Sequence, residues 1–265
     1  MSAAKLTSRG FRKLQSLLLC LVYASIFSIS AAQAEDLIVS AAVSLKEPFI
    51  QLASTFERKH PGAKVIFNFG ASGTMATQIS QGAPVDVFAS ASLDQMERLN
   101  KLGLIGPAPA KCFARNTLVV IVPTAGKKYS SLEALGETKK LALGDPQTVP
   151  AGRYAVEVLK GAHLYNKLSA THALIFGESV RQVVTYVESG EVDAGIVYNS
   201  EAKTSKHSLI SLKIPHEASE PVLYPIATIK NSKEAVLAQS FVDFISNREQ
   251  WPVFKSFGFL APDHD

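Results

Sequence analysis

The sequence predicts an α/β fold built on two mainly parallel sheets. Three observations point there. Short runs of strand length alternate with amphipathic segments of helical period from residue 37 almost to the C-terminus. The strand candidates are short and apolar, as strands covered by helices on both faces are. Finally, once an N-terminal leader is set aside, the remainder of the 265-residue chain is long enough for two lobes of ordinary size.

The elements follow in order. Leu37-Ile38-Val39 is an apolar run, followed by a helical segment with Leu45, Phe49, Leu52, Ala53 and Phe56 on one face. Lys64–Phe69 reads as a strand, Thr74–Gln81 as a short helix ended by Gly82, and Val85–Ala89 as a strand. Leu93–Leu102 is a helix closed by Gly103, and Leu118–Val122 a strand ended by Pro123. Leu141–Leu143, Ala173–Phe176, Ala194–Tyr198 and Tyr224–Ile229 are further strands. Between them, Ala151–Ala162 turns Ala155, Val158, Leu159 and Ala162 inward, and Val180, Val183, Val184 and Val187 form one stripe. Two helices close the chain, about Lys233–Ser246 and Glu249–Phe257.

The first 34 residues read as a secretory signal. A basic segment ends at Lys13, an apolar stretch of about 17 residues follows to Ser30, and Ala32-Gln33-Ala34 is an A-x-A cleavage site. The stretch is interrupted by serines and is short for a bilayer span. Cleavage after Ala34 and a periplasmic location are therefore expected. The leader also explains the charge. Lys and Arg number 27 against 23 Asp and Glu, but Lys5, Arg9, Arg12 and Lys13 lie in the leader with no acid, so the rest of the chain is balanced at 23 each. A nucleic-acid partner is not expected, because such a partner calls for a basic excess in the folded part. Beyond the leader Cys112 is the sole cysteine, which excludes an intrachain disulfide, and it reads as a small buried apolar residue.

Familiar catalytic and metal motifs are missing. The six histidines show no metal-ligand spacing, and there is no G-x-G-x-x-G or P-loop. Gly70-Ala71-Ser72-Gly73-Thr74 falls one residue short of the hydrolase elbow G-x-S-x-G, with Thr74 replacing the last glycine. A secreted serine hydrolase using Ser72 stays open as a minor alternative. What the sequence does offer is a set of helix starts: Ser44, Ser72-Gly73-Thr74, Val149-Pro150-Ala151-Gly152 and Glu178-Ser179-Val180. Each start exposes unpaired N–H groups and the positive end of a helix dipole. Converging starts bearing serine hydroxyls would bind an anion without any charged side chain. The plainer alternative is that Ser44, Ser72 and Ser179 are ordinary caps, with Ser44 and Glu47 spaced as a capping box. Asp86 and Asp145 read as loop braces, Arg153 and Arg181 as solvent-exposed helix residues.

The chain resembles the periplasmic molybdate-binding proteins of ABC importers, the ModA family, over about Asp36 to Leu260. The matching motifs are Ser40-Ala41-Ala42-Val43-Ser44-Leu45, Gly70-Ala71-Ser72-Gly73-Thr74, the run from Gly82 to Ala91, the run from Gly144 to Gly152, and Gly195-Ile196-Val197-Tyr198. Val43 departs from the family's usual alanine. The resemblance implies a two-lobed type II periplasmic binding protein with the ligand in the cleft between lobes. Lobe 1 would comprise residues 35–116 plus 226–265, and lobe 2 residues 117–225. It implies molybdate contacts from Ser44 and Ser72, through hydroxyl and N–H, from the N–H groups of Ala151 and Val180, and from the Tyr198 hydroxyl. It further implies a monomer that binds molybdate and tungstate as oxyanions, without cofactor, side-chain metal ligands or enzymatic activity, and hands them to a permease of the inner membrane. A binder of sulfate or another tetrahedral oxyanion is the alternative.

Overall fold

The computed structural model describes residues 35–262. The leader and its cleavage site lie outside the described residues, as does His264.

Two five-stranded sheets organise the chain, and in each of them four strands point one way and one is reversed. The first sheet begins with β1 (Glu35–Ala42), the helix α1 (Lys46–Lys59), β2 (Ala63–Gly70), α2 (Ser72–Ser80), β3 (Val87–Ala89), α3 (Leu93–Lys101) and β4 (Lys111–Asn116). Thr117 alone separates β4 from β5 (Leu118–Pro123), which starts the second sheet. There follow β6 (Leu141–Gly144), α4 (Pro150–Gly161), α5 (Tyr165–Ala170), β7 (Leu174–Gly177), α6 (Val180–Glu188), β8 (Ala194–Tyr198), α7 (Asn199–Thr204) and β9 (Ser208–Lys213). The chain then returns to the first sheet as β10 (Val222–Thr228) and ends in α8 (Ala235–Ser246) and α9 (Trp251–Ser256). The orders are β2-β1-β3-β10-β4 and β7-β6-β8-β5-β9, with β10 and β5 the reversed strands. The chain thus crosses between sheets twice, at Thr117 and between β9 and β10.

The apolar faces foreseen from the sequence are the ones that pack. Leu45, Phe49, Leu52, Ala53 and Phe56 of the first helical segment are all buried, and so is the stripe Val180, Val183, Val184, Val187. Phe49 meets Phe113 and Phe241 at ring centroid distances of 5.8 and 6.1 Å, and Phe56 meets Phe241 edge-on at 5.1 Å. Each buried phenylalanine contributes about 1.5–3 kcal/mol by transfer from water. This aromatic layer fixes α1 and α8 against the first sheet.

Two strands were invisible to the pattern, β4 and β9. Both are sheet edges, and their exposed faces carry Lys111, Leu209 and Ile210 rather than a continuous apolar run. Cys112 is exposed on β4, where its thiol faces the carbonyl of Ala114 at 3.6 Å, so the expected burial is corrected. Lys111 and Cys112 are both exposed where β4 begins at the sheet edge, beside the register shift at Tyr224/Pro225 that breaks the alternation. Asp86 and Asp145 do act as braces. Asp86 accepts from the Ile38 N–H at 2.8 Å and from Ser232 Oγ at 2.6 Å, and Asp145 accepts from the Gln147 N–H at 2.9 Å.

Candidate functional site

Parallel strands of an α/β sheet point their carboxyl ends toward ligands, and the turns leaving those ends carry the polar groups. Here the turns leaving β1, β2 and β3 meet the starts of α4 and α6 and the end of β8. They line one narrow cleft that contains all five residues singled out from the sequence: Ser44, Ser72, Ala151, Val180 and Tyr198. The remaining walls are small or apolar, from Ala42 and Val43 to Ala91 and Pro150, and no lining residue is charged. Its cavity volume is only about 10 Å³, far below the range of about 300–1,000 Å³ typical for organic ligands. It suits one small ion.

The local geometry of each residue follows from its place. Ser44 sits in a 3-10 turn, Val43–Leu45, between β1 and α1. Its hydroxyl caps nothing, and lies 3.0 Å from the hydroxyl of Tyr224 on β10. The capping box expected of Ser44 and Glu47 is not formed. Ser72 is the first residue of α2, and its Oγ accepts from the Ala91 N–H at 3.0 Å. Ser179 is a true cap, accepting from the Gln182 N–H at 3.2 Å. Pro150 opens α4, which places Ala151 in the first turn, and Val180 opens α6. Their N–H groups belong to the set that no intrahelical carbonyl can satisfy.

Tyr198 closes the cleft at the end of β8. It is 1% exposed, and its hydroxyl is buried without a hydrogen-bond partner among the described residues. Burial, reinforced by neighbouring Tyr224, pushes its phenol well above the ordinary value, so the group is a neutral O–H. An unpaired buried hydroxyl costs about 1–3 kcal/mol. Tyr154, on α4, is pushed up to about 12, again mainly by burial.

The cleft is bridged on either side by two arginines that the sequence had suggested were solvated. Arg181 of α6 reaches Glu47 of α1 with contacts of 2.8 and 3.0 Å. Arg153 of α4 reaches Asp94 of α3 at 3.2 Å and also pairs with Glu157 and Glu220. Both side chains are about one-third exposed, so each bridge contributes no more than about 1 kcal/mol after screening. Their role is nonetheless to join helices of different sheets, which corrects the earlier reading. No local pattern signals it, because the partners lie 134 residues apart in one case. Close backbone approach accompanies the bridges: the Gly73 N–H donates to the Thr148 carbonyl at 3.0 Å across the cleft.

Behind Arg181 stands a carboxylate that sequence reasoning missed. Glu201 of α7 is 1% exposed, and its Oε2 lies 3.1 Å from Arg181 Nε without the alignment of a hydrogen bond. Burial raises its carboxyl to about 7, with Arg181 opposing and Glu47 adding to the rise. Between about 4.5 and 7 the folded chain therefore holds a proton that the unfolded chain has released, and stability falls as pH rises through that window. The full difference is about 3 kcal/mol at most. Glu201→Gln is expected to flatten the decline of melting temperature between about pH 5 and pH 8. A slope identical to that of the parent chain would contradict the assignment.

Comparison with known proteins agrees with this architecture. A family model described as bacterial extracellular solute-binding protein matches residues 37–260. The molybdate-binding protein ModA of Haemophilus influenzae is 32% identical, the match covering 88% of this chain and 92% of that one. ModA of Escherichia coli is 33% identical over 83% of this chain and 87% of its own. The solved periplasmic molybdate-binding protein of Azotobacter vinelandii superposes with a TM-score of 0.77 at 26% identity, over 86% of this chain and all of that one. With the two-sheet fold and the cleft at its strand ends, these likenesses mean that the chain belongs to the bacterial extracellular solute-binding proteins and, within them, to the ModA family.

Proposed function

We propose that this protein captures molybdate, and with it tungstate, on the outer side of the inner membrane and delivers it to an ABC permease. The observation that carries the reading is the orphaned hydroxyl of Tyr198, buried in a neutral cleft that also holds two serine hydroxyls and two helix starts. A tetrahedral dianion offers acceptors only. Ser44 and Ser72 would contact it through hydroxyl and N–H, Ala151 and Val180 through N–H, and Tyr198 through its hydroxyl. Each hydrogen bond to a charged group contributes about 1.5–3 kcal/mol. Several of them exceed the roughly 8 kcal/mol of micromolar binding, with a margin for ordering and desolvation. Hydrogen phosphate carries a proton that such a donor set leaves unpaired.

The remaining assignments belong to the same reading. The lobes divide at 116/117 and between β9 and β10, a few residues before the 225/226 expected from the sequence, and the leader is removed after Ala34. The protein works as a monomer without cofactor or nucleic acid, and it turns nothing over. A hydrolase centred on Ser72 lacks support, since no histidine or carboxylate lines the cleft to serve as its base.

Calorimetric titration of the chain from residue 35 with molybdate, tungstate, sulfate and hydrogen phosphate tests the proposal. One-to-one binding of the first two alone is expected. Tight sulfate binding with weak molybdate, or no binding of any of the four, would overturn it. Ser44→Ala and Ser72→Ala are each expected to weaken molybdate by about ten- to a hundredfold with little change in melting temperature. The opposite pattern, lower melting temperature and intact affinity, would reduce both serines to packing roles.

A further inference from the structure

We infer that Tyr224, which lies outside the cleft lining, is a specificity-determining positioning residue: it fixes the hydroxyl of Ser44 as a donor toward the cleft and so excludes protonated oxyanions. The inference rests on the oxyanion reading of the cleft and follows from an accounting of protons. Asn116 sits at the end of β4, next to the crossover. Its Oδ1 accepts from the Thr117 N–H at 2.9 Å, a group that can only donate, so the orientation of the amide is set. Its Nδ2 must then face the other way, where it donates to Ser200 Oγ at 2.8 Å and to Tyr224 Oη at 3.3 Å.

Tyr224 is fully buried, and its hydroxyl has only one other partner among the described residues, Ser44 Oγ at 3.0 Å. With Asn116 supplying a proton to Tyr224 Oη, the phenolic proton has one place to go, the oxygen of Ser44. Any other arrangement buries an unpaired O–H, which is costly. Ser44 then accepts from Tyr224, and its own proton is left to point into the cleft. Ser72 is held in the same sense by a different device, because the Ala91 N–H can only donate to its Oγ. The polarity of Ser72 is thus set by backbone, whereas that of Ser44 is set by a side chain and can be changed by substitution.

The test compares molybdate with hydrogen phosphate at about pH 8, where both carry two negative charges and differ in the phosphate proton. Molybdate affinity comes from calorimetry and the phosphate constant from competition. The proteins are the parent chain, Ser44→Ala, Tyr224→Phe and the double variant. In Tyr224→Phe the Ser44 hydroxyl is free to turn and can accept a proton. Molybdate should bind several-fold more weakly, and the molybdate-to-phosphate ratio should narrow by about tenfold, one hydrogen bond's worth. In the double variant Tyr224→Phe should add nothing to the effect of Ser44→Ala. An unchanged ratio, or fully additive losses, overturns the inference while Ser44→Ala still weakens molybdate. If the parent binds no molybdate, or Ser44→Ala binds as the parent does, the reading of the cleft itself has failed.

Should Tyr224→Phe not fold, Asn116→Asp carries the same test. An acceptor at that position draws the Tyr224 proton to itself, so Ser44 loses its donor and is free to donate to Tyr224 and present lone pairs to the cleft. The ratio should again narrow, since the added carboxylate repels both dianions alike. A parent-like ratio there overturns the inference.

Discussion

A Gly73→Ala variant is expected to bind molybdate about five- to 150-fold more weakly, while its unliganded melting temperature stays close to that of the parent. Gly73 lies in the first turn of α2 and faces Thr148, just before α4, on the other side of the cleft. A Cβ at Gly73 would sit 2.7 Å from the Thr148 carbonyl oxygen, 2.9 Å from its Cα and 3.1 Å from its carbonyl carbon. All three are backbone atoms, so no side chain can swing away. Overpacking of this kind costs about 1–3 kcal/mol, which sets the fold-change given. The strain exists only where the two sides meet, and it would be relieved were Gly73 and Thr148 to move apart. The loss should therefore appear in affinity and not in folding. A variant that binds as tightly as the parent would show that the contact is not needed in the bound state.

Gly152→Ala is expected to do the reverse and to strike folding itself, by at least about 3 kcal/mol. Gly152, in the first turn of α4, lies directly on the end of β6. A Cβ there would come within 1.9 Å of the Gly144 carbonyl oxygen and 2.4 Å of its carbonyl carbon, separations at which something must move. Helix and strand belong to the same sheet layer, so no hinge relieves the clash. Only displacement of α4 would, and that would carry the Ala151 N–H away from the cleft. The magnitude belongs with the most damaging single substitutions. Urea denaturation measures it directly. A change under about 1 kcal/mol would mean that α4 can rise off the strand without loss.

What the sequence made legible, and what it left hidden, divides along a physical line. Helix starts are local events. Proline at position 150, serines at 44 and 72 and the valine stripe of α6 all declare themselves within a few residues, so four of the five cleft residues stand at starts that can be read locally; Tyr198, at a strand end, came only from the family resemblance. The polar groups behind them were not. Tyr224 and Ser44 are 180 residues apart, Asn116 and Tyr224 108, and Arg181 and Glu47 134. No period or cap motif connects such positions; only the two crossings between sheets bring them together. Glu201 carries no local sign of burial, yet the chain folds it fully inside. Strands β4 and β9 escaped because an edge strand needs no continuous apolar run.

The arginine bridges divide two tasks that a carrier could have merged, retention and discrimination. Arg153 and Arg181 clasp carboxylates on the facing helices, and neither belongs to the wall that surrounds the ion. Whatever they add to holding the jaws together is added equally for a right passenger and a wrong one. They can lengthen a stay, but they cannot sort. A difference of affinities must arise where contacts differ, and here that leaves the neutral cleft as the only judge. Strengthening the clasp by design would thus make a tighter carrier and no better a chooser.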